Sequence, residues 1–315
     1  MRAADQFIVR RASTGTASVI AGYPWFTDWG RDTMIALPGL TLVTRRFDIA
    51  RELLLTFARY CRDGLIPNMF PDQGAEPLYN TTDASLWFFH AAQKYLQYTG
   101  DFAFVKKEIF PVLEDFVAHH LKGTHFGIRA GEDGLIEAGS PGVQLTWMDA
   151  KVDDWVVTPR HGKPVEINAL WYNALRLMAG LAARFGEEDR YSALAGKARE
   201  SFNREFWNPE AGCLYDVVGD AAERSNPTAD PSIRPDQISD PSIRPNQIIA
   251  VSLPHSILDR DREKAVVDRV WRDLYTTYGL RSLASHDPRY RGSYRGNRVE
   301  RDGAYHQGTV WGWLM

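Results

Sequence analysis

Apolar residues recur three and four positions apart over most of the chain, which is the spacing of one face of an α-helix. The pattern predicts nine complete helices and the opening of a tenth near residue 309. It also predicts one β-hairpin, in which residues 126–129 pair with residues 135–137. The nine predicted helices cover residues 3–12, 32–43, 47–61, 83–98, 101–121, 165–185, 189–206, 247–258 and 262–275.

The predicted helices come in pairs that are joined by short connections, and longer loops separate one pair from the next. Because strand signals are sparse, this pattern favours an all-α fold over alternating strands and helices. Long loops at alternate junctions predict a helical toroid, a single domain over residues 1–315 with its functional loops at one end. These loops are residues 14–31, 63–81, 123–164, 208–245 and 279–308.

Composition narrows the classes of function. The net charge of −3 leaves no basic surplus for a phosphate backbone, so a nucleic-acid partner is not expected. No run of about 18 apolar residues occurs, so no membrane partner is expected. Two cysteines, Cys61 and Cys213, are too few for a disulfide framework, which favours a reducing compartment and a cytoplasmic location. The chain has 10 tryptophans, an unusually high number. We expect them to fill a core, to form an interface or to bind a ligand with flat apolar faces, such as a sugar.

A ten-residue segment is duplicated in the loop at residues 225–246. DPSIRPDQIS at 230–239 is followed at once by DPSIRPNQII at 240–249. Two copies are too few for a stacked-repeat fold, which needs three or more. We interpret the duplication as a local lengthening of one loop.

Four clusters that mix aromatic and polar residues fall in the long loops. A sugar needs this mixture, because rings stack on its C–H face while carboxylates, amides and guanidinium groups bind its vicinal hydroxyls. The alternative is that each aspartate caps a helix and each tryptophan fills the core. The clusters are YPWFTDWGRD (23–32), YNTTD (79–83), LTWMDAK (145–151) and RDGAYHQGTVW (301–311).

Other kinds of site find little support in the sequence. The chain contains no His-Glu-x-x-His, no Cys-x-x-Cys pair and no Gly-x-Ser-x-Gly elbow, so neither a metal site nor a serine nucleophile is predicted. Glycoside hydrolysis needs two carboxyl groups that flank the scissile bond. Carboxylates are plentiful in the four clusters, so that reaction remains open.

Several long motifs closely resemble the C-terminal catalytic domain of glycogen debranching enzymes of the amylo-α-1,6-glucosidase type, most of all the shorter bacterial and archaeal members. The resemblance implies an (α/α)6 toroid that hydrolyses α-1,6-linked glucosyl stubs of glycogen or limit dextrin with inversion. It implies an α-glucan as the partner and no metal or organic cofactor; it leaves the oligomeric state open. The motifs are YPWFTDWGRDT (23–33), NTTDASLWF (80–88), LTWMDAKV (145–152), TPRHGKPVEINALWYNAL (158–175), SIRPNQIIAVSLP (242–254) and DGAYHQGTVWGWL (302–314).

The same resemblance assigns roles to individual residues. Asp149 matches the general acid of the family. Glu166 has a rival interpretation as a first-turn residue favoured by the helix dipole, and Glu300 is a further carboxylate near the expected pocket. The predicted substrate-binding residues are Asp28, Trp29, Arg31, Asp32, Asn80, Asp83, Trp147, Arg160, Glu166, Asp302 and His306.

The resemblance also implies that the toroid lacks its last helices. In the family the general base is a glutamate in the loop before the last inner helix, and by the helix count that loop lies beyond Met315. We therefore expect a domain that is incomplete at its C-terminus and weak or inactive by itself. The alternatives are another toroidal α-glucosidase, of glucoamylase or trehalase type, and a non-catalytic α-glucan-binding fragment.

Overall fold

The computed structural model describes residues 2–71, 76–219 and 239–315. Contacts within the chain group these residues into two compact units. The first unit comprises Met1–His125 and Arg176–Tyr191, and the second comprises Phe126–Leu175 and Ser192–Met315. The expectation of one domain over residues 1–315 stays a prediction.

Helices dominate the first unit, and one small antiparallel sheet accompanies them. The sheet joins Ile8–Arg10, Ala17–Gly22 and Phe26–Asp28 in that order. Two π-helical segments, Pro38–Leu42 and Val105–Ile109, continue the helices that precede them. The α-helices are Arg2–Phe7, Gly30–Leu37, Phe47–Arg59, Asp83–Thr99, Phe102–Phe104 and Phe110–Lys122, together with the last part of Val165–Phe185.

The core of the first unit lies around helix Asp83–Thr99, most of whose side chains are buried. The rings of Phe88 and Phe89 both pack against Phe116, with centroid distances of 5.8 Å. The helix ends at Gly100, whose left-handed φ of 65° lets its N–H bond the Leu96 carbonyl. The helix predicted at 83–98 is confirmed, and the structure extends it by one residue.

The second unit combines helices with several very short strands. Its α-helices are Val165–Phe185 as far as Leu175, Ser192–Glu205, Ile249–Ser252, Arg260–Leu274 and Arg298–Ala304. 3₁₀ turns lie at His125–Gly127, where the unit begins, and at Pro245–Ile248 and Gly312–Leu314. The strands are Arg129–Ala130, Ile136–Glu137, Lys151–Val152, Trp155–Val156, Lys163–Pro164, Trp207–Asn208, Cys213–Leu214, Val217–Val218, Ser239–Asp240, Tyr275–Thr276, Gly279–Arg281 and Val310–Trp311.

These strands pair antiparallel in small sheets. The predicted hairpin is present with shorter strands: Arg129 lies opposite Glu137 and Ala130 opposite Ile136, whereas residues 126–127, predicted as strand, belong to a 3₁₀ turn. Lys163–Pro164, Val217–Val218 and Ser239–Asp240 form a three-stranded sheet. The remaining pairs join residues 151–152 with 155–156, 207–208 with 213–214, 275–276 with 279–281, and 280–281 with 310–311.

Three predicted helices are wrong in part or whole. Helix 3–12 ends at Phe7, because the β-branched residues after it pair with residues 17–19. Helix 247–258 ends at Ser252, since the following residue precedes a proline and is extended. The helix expected from residue 309 is a strand, Val310–Trp311, followed by a 3₁₀ turn.

The predicted loop 279–308 contains a helix that periodicity missed. Asn297 is the N-cap of helix Arg298–Ala304. Its side chain accepts a hydrogen bond from Glu300 N, and the Glu300 carboxylate accepts one from Asn297 N. The helix has only seven residues and shows no clear apolar face. The capping box stabilises its first turn.

Helices are the most abundant element of the structure, but the all-α prediction is confirmed only in part, because small sheets join the loops. The toroid itself stays a prediction. Residues 225–238 of the duplicated loop lie outside the described residues. The second copy begins at Asp240, in the strand Ser239–Asp240, and continues through the turn Pro245–Ile248 to the first residue of helix Ile249–Ser252. Among the described helices, none combines the length and apolar character needed to cross a bilayer.

Candidate functional site

In the first unit, Gly30 brings the first aromatic-polar cluster against a neighbouring loop. Its N–H donates to the Asn68 carbonyl oxygen at 2.9 Å. A Cβ added at Gly30 would overlap the Pro67 carbonyl oxygen, so only glycine allows this approach. Trp29, the residue before Gly30, forms an isolated β-bridge with Met69. The start of helix Gly30–Leu37 is thereby fixed, and with it the direction of the residues that follow.

Arg31 and Asp83 form a buried ion pair inside this unit. Arg31 Nε lies 2.8 Å from Asp83 Oδ1 and 2.7 Å from Asp83 Oδ2. Thr81 Oγ1 also donates to Asp83 Oδ1, at 2.8 Å. Both residues were predicted to bind substrate, and the structure brings them together as charges that compensate each other.

Asp28 is held by a partner that the sequence did not suggest. Arg11 Nη1 donates to Asp28 Oδ1, and Ser18 Oγ donates to Asp28 Oδ2 at 2.6 Å. Arg11 Nη2 also donates to the Pro71 carbonyl oxygen. Because Asp28 is buried and both of its oxygens accept bonds within the fold, its evident role is to join sheet and loop. A contact with substrate stays a prediction for this residue.

Three predicted residues of the first unit keep part of their surface accessible: Trp29, Asp32 and Asn80. Within the described ranges, the Asp32 carboxylate has no side-chain partner. Burial raises the pKa of the Asp32 carboxyl above its ordinary value, Arg31 opposes that shift, and the Asp83 charge adds to it. Asp32 is thus a carboxylate that a ligand hydroxyl can approach.

Two buried polar atoms nearby in the sequence also lack a hydrogen-bond partner within the part of the chain that the structure describes. They are Asn68 Oδ1 and Thr82 Oγ1. Asn68 Nδ2 in turn donates to the Asn80 carbonyl oxygen at 3.5 Å.

In the second unit, one arginine joins two buried carboxylates. Arg160 donates from Nη1 and Nη2 to the two oxygens of Glu166, the second at 2.7 Å. Its Nε donates to Asp216 Oδ2 at 2.7 Å, and Arg244 Nε lies 3.8 Å from the same oxygen. Arg160 and Glu166 were predicted, whereas Asp216 and Arg244 were not.

Burial shifts the pKa values of the arginine and of its carboxylate partner in opposite directions. For Arg160, burial lowers the pKa, but the charges of Asp216 and Glu166 outweigh burial and hold the pKa above its ordinary value. For Glu166, burial raises the pKa and the Arg160 charge offsets only part of that rise. Glu166 also lies in the first turn of helix Val165–Phe185, where the helix dipole favours a carboxylate. Its two oxygens are occupied, and direct sugar contact stays a prediction.

Trp147 and His306 contact each other in the second unit. Their rings meet edge to face with centroids 5.2 Å apart. Both residues are buried, and Trp147 Nε1 donates to Asn246 Oδ1 at 2.7 Å. A stacking platform needs an exposed ring face, so the surroundings of Trp147 fit an apolar neighbour of Asp149 better than a sugar contact.

Asp149 lies in an irregular segment just before strand Lys151–Val152 and is half-buried. Asp302, also half-buried, lies on helix Arg298–Ala304 with its Oδ2 3.7 Å from Arg298 Nε. Glu300, by contrast, is exposed and caps the same helix. The idea that Glu300 serves as a pocket carboxylate is therefore unsupported by its position.

Sequence reasoning missed the residues that hold the predicted ones in place. A hint was available for Arg244 and Asn246, because both belong to the SIRPNQ motif quoted above. Asp216 gave no signal, since it stands alone between two short strands. The predicted residues of the first unit are Asp28, Trp29, Arg31, Asp32, Asn80 and Asp83, and those of the second are Trp147, Asp149, Arg160, Glu166, Asp302 and His306.

Comparisons with known proteins identify a matching family model, a related sequence and a related fold. A family model described as amylo-alpha-1,6-glucosidase matches residues 2–315. The chain is 28% identical, over 390 aligned positions, to the glycogen debranching enzyme of Saccharomyces cerevisiae, and the match covers 94% of this chain and 24% of that protein. The fold is similar to the crystal structure of a GH78 family rhamnosidase of Bacillus sp. GL1, with a TM-score of 0.54, 19% identity and coverage of 78% of this chain and 22% of that one.

The chain thus spans about a quarter of the length of its yeast relative. At 19% identity the rhamnosidase shows a related fold and nothing about substrate. The family model, by contrast, covers nearly every residue and includes all of the motifs on which the resemblance rests. The chain belongs to the amylo-alpha-1,6-glucosidase family.

Proposed function

We propose that this chain is a glycoside hydrolase of the debranching type that releases glucose from α-1,6-linked glucosyl stubs of an α-glucan with inversion. The observation that carries the proposal is the family match over residues 2–315. The resemblance of TWMDAKV to the family motif supports Asp149 as the acid. The half-buried position of Asp149 beside buried Trp147 and Met148 supports it.

The proposed reaction is a single displacement at the anomeric carbon. The bond between C1 and the leaving oxygen O6 breaks while Asp149 gives its proton to O6. Water forms the new bond to C1 from the opposite face, and its proton passes to a carboxylate base. Inverting enzymes place that base roughly 6.5–9.5 Å from the acid, which leaves room for the water. Our assignment covers the acid and leaves the base open.

The first unit is proposed to bind a glucosyl residue. Trp29 offers a ring face, and Asp32 and Asn80 offer polar groups, all on partly accessible residues. The Arg31–Asp83 pair lies in the same motifs, and its two charges compensate each other inside the unit. An α-glucan is the proposed partner.

The test measures the glucose and the β-glucosyl azide that the full chain releases from phosphorylase limit dextrin, with and without azide. Azide attacks C1 without needing a base and gives β-glucosyl azide, so the acid is assayed whether or not a base is present. We expect Asp149→Asn to lower release at least 100-fold, the usual scale of general acid catalysis. Asp154→Asn, an exposed carboxylate in the same stretch of chain, is the matched control and stays within twofold of wild type.

The product and the substrate range decide between the alternatives. Inversion requires that the first glucose seen by NMR is the β-anomer. Retained turnover in Asp149→Asn, or α-glucose as the first product, contradicts the proposal. Among panose, isomaltose, maltose and trehalose, a preference for maltose favours a glucoamylase type, and a preference for trehalose favours a trehalase type. Retention on glycogen gels without any product, even with azide, favours a binding fragment.

A further inference from the structure

The segment that carries Asp149 is anchored by two hydrogen bonds before that residue. Arg160 Nη1 donates to Thr146 Oγ1 at 3.2 Å, and Thr158 Oγ1 donates to the Met148 carbonyl oxygen at 2.9 Å. All four of these anchoring residues are buried, whereas Asp149 is half-buried. The main chain at Asp149 is therefore fixed while the residue keeps part of its surface accessible.

Between these anchors, Trp147 is connected to a buried carboxylate through a single amide. Trp147 Nε1 donates to Asn246 Oδ1 at 2.7 Å, and Asn246 Nδ2 donates to Asp216 Oδ1 at 2.7 Å. Because an indole N–H can only donate and a carboxylate can only accept, an amide is suited to join them. We refer to Asp216, Asn246 and Trp147 as the amide relay.

The indole of Trp147 is also held by rings on its other sides. His306, Trp311 and Trp313 meet it edge to face, with centroid distances of 5.2, 5.5 and 5.2 Å. On the far side of Asp149, Ala150 N donates to His306 Nδ1 at 3.4 Å. The edge-to-face packing and the hydrogen bond from Nε1 to Asn246 together fix the orientation of the Trp147 indole.

Asp216 is the common anchor of both arms. Its Oδ1 accepts from Asn246, which holds Trp147, and its Oδ2 accepts from Arg160, which holds Thr146. One buried carboxylate thereby fixes two successive residues of the segment that carries the acid. Such a shared anchor is more than local packing requires, because Trp147 is already enclosed by three rings.

The duplicated segment offers an internal comparison for the central residue of the relay. The two copies differ at two positions, and one of them is Asp236 in the first copy against Asn246 in the second. A carboxylate at position 246 cannot donate to Asp216 and would repel it. The copy that takes part in the relay is the one with the amide.

We propose that Asp216 and Asn246 are positioning residues, which hold Trp147 and the main chain of Asp149 in place for proton transfer to the leaving oxygen. The inference rests on the proposed function, because Asp149 must act as the acid for its position to matter. It adds two residues that the resemblance did not assign and predicts a defect confined to substrates whose leaving group needs a proton.

The test compares panose with α-D-glucosyl fluoride in the full chain, with azide present for both. Fluoride leaves without protonation, because hydrogen fluoride is a much stronger acid than a sugar hydroxyl. We expect Trp147→Phe and Asn246→Asp to lower kcat on panose about 10- to 100-fold, the cost of a small misplacement of a catalytic group. The KM for panose and the rate with the fluoride stay within about twofold of wild type.

Trp171→Phe is the matched control, because it also removes a buried indole N–H hydrogen bond, here to the Gly134 carbonyl oxygen, in the same unit. It lowers thermal stability without changing the ratio of the two rates. Equal losses on both substrates in Trp147→Phe, or an unchanged rate on panose, overturn the positioning role alone. A wild-type chain that attacks neither substrate overturns the proposed function, and the positioning role with it.

Discussion

The two units use arginine in different ways. In the first, each buried carboxylate has its own arginine: Arg31 pairs with Asp83, and Arg11 pairs with Asp28. In the second, Arg160 serves both Glu166 and Asp216, and further bonds extend from it to the segment around Asp149. The pairs of the first unit each fix one buried carboxylate, whereas Arg160 holds two carboxylates and ties several segments of the chain together.

The difference has an energetic consequence. Removing one partner of a buried ion pair leaves the other charge uncompensated, which costs more than the pair contributed. In the first unit, removal of an arginine leaves one buried carboxylate, which still accepts a hydrogen bond from a neutral hydroxyl group. In the second it leaves two carboxylates that repel each other.

The largest effect is expected from Arg160→Met. It leaves Glu166 and Asp216 without their main cation, and we expect a loss of about 3–5 kcal/mol in the free energy of unfolding. Arg31→Met leaves only Asp83, which keeps the bond from Thr81, and falls at the lower end of that range. Urea unfolding followed by circular dichroism measures both.

The exposed pair Arg129–Glu137 provides the control for these two substitutions. Arg129→Met is expected to change the free energy of unfolding by less than about 1 kcal/mol, since surface ion pairs are weak. The contrast between the units is wrong if Arg31→Met costs as much as Arg160→Met.

A smaller effect is expected from Gly30→Ala, which tests how closely the first unit packs at its motif. The new Cβ meets a backbone carbonyl that cannot move aside, so we expect a loss of about 1–3 kcal/mol. Gly39→Ala is the control, because nothing lies within 4 Å of its added Cβ. That change should be neutral or stabilise by up to about 1 kcal/mol. Similar melting temperatures for the two variants would contradict the close approach.

The smallest effect concerns pH. Burial raises the folded-state pKa of the Asp32 carboxyl above its unfolded value, with Arg31 opposing and Asp83 adding. Its contribution to stability is therefore full below the unfolded pKa and is lost as pH rises through the folded pKa. Asp32→Asn removes this loss, so we expect the variant to have a slightly higher urea midpoint than wild type at neutral pH.

Below the ordinary pKa of aspartate, about 3.9, that advantage should disappear because Asp32 is then protonated in both states. Midpoints measured for both proteins across this range give the result. A variant that is less stable at neutral pH would show that the helix-dipole interaction of the Asp32 charge outweighs its burial.

Sequence patterns were sufficient for long helices and insufficient for short strands. Helix Val165–Phe185 matches its prediction at both ends, because 21 residues carry several turns of apolar spacing. Strands such as Val217–Val218 have two residues, too few to show any alternation. Their pairing depends on segments far along the chain, which local patterns do not report.

The candidate site was predictable in its residue types but not in its pairs. The motif containing Arg31 and the one containing Asp83 were both identified, yet nothing in either sequence shows that they bind each other. The relay residue Asn246 lay within a quoted motif without a role, and Asp216 lay in none. Buried networks are set by which side chains meet in space, so partners 30 and 99 positions away from Asn246 leave no local signal.

Trp25 at the tip of the hairpin between Ala17–Gly22 and Phe26–Asp28 has a spectroscopic use. Because 84% of its surface is exposed, we expect its indole to emit at long wavelength and to be quenched by acrylamide at low concentration. We expect buried indoles such as Trp147 and Trp171 to emit at shorter wavelength and to be shielded from the quencher. A Trp25→Phe background therefore gives a cleaner fluorescence signal for following sugar binding or unfolding around the buried rings.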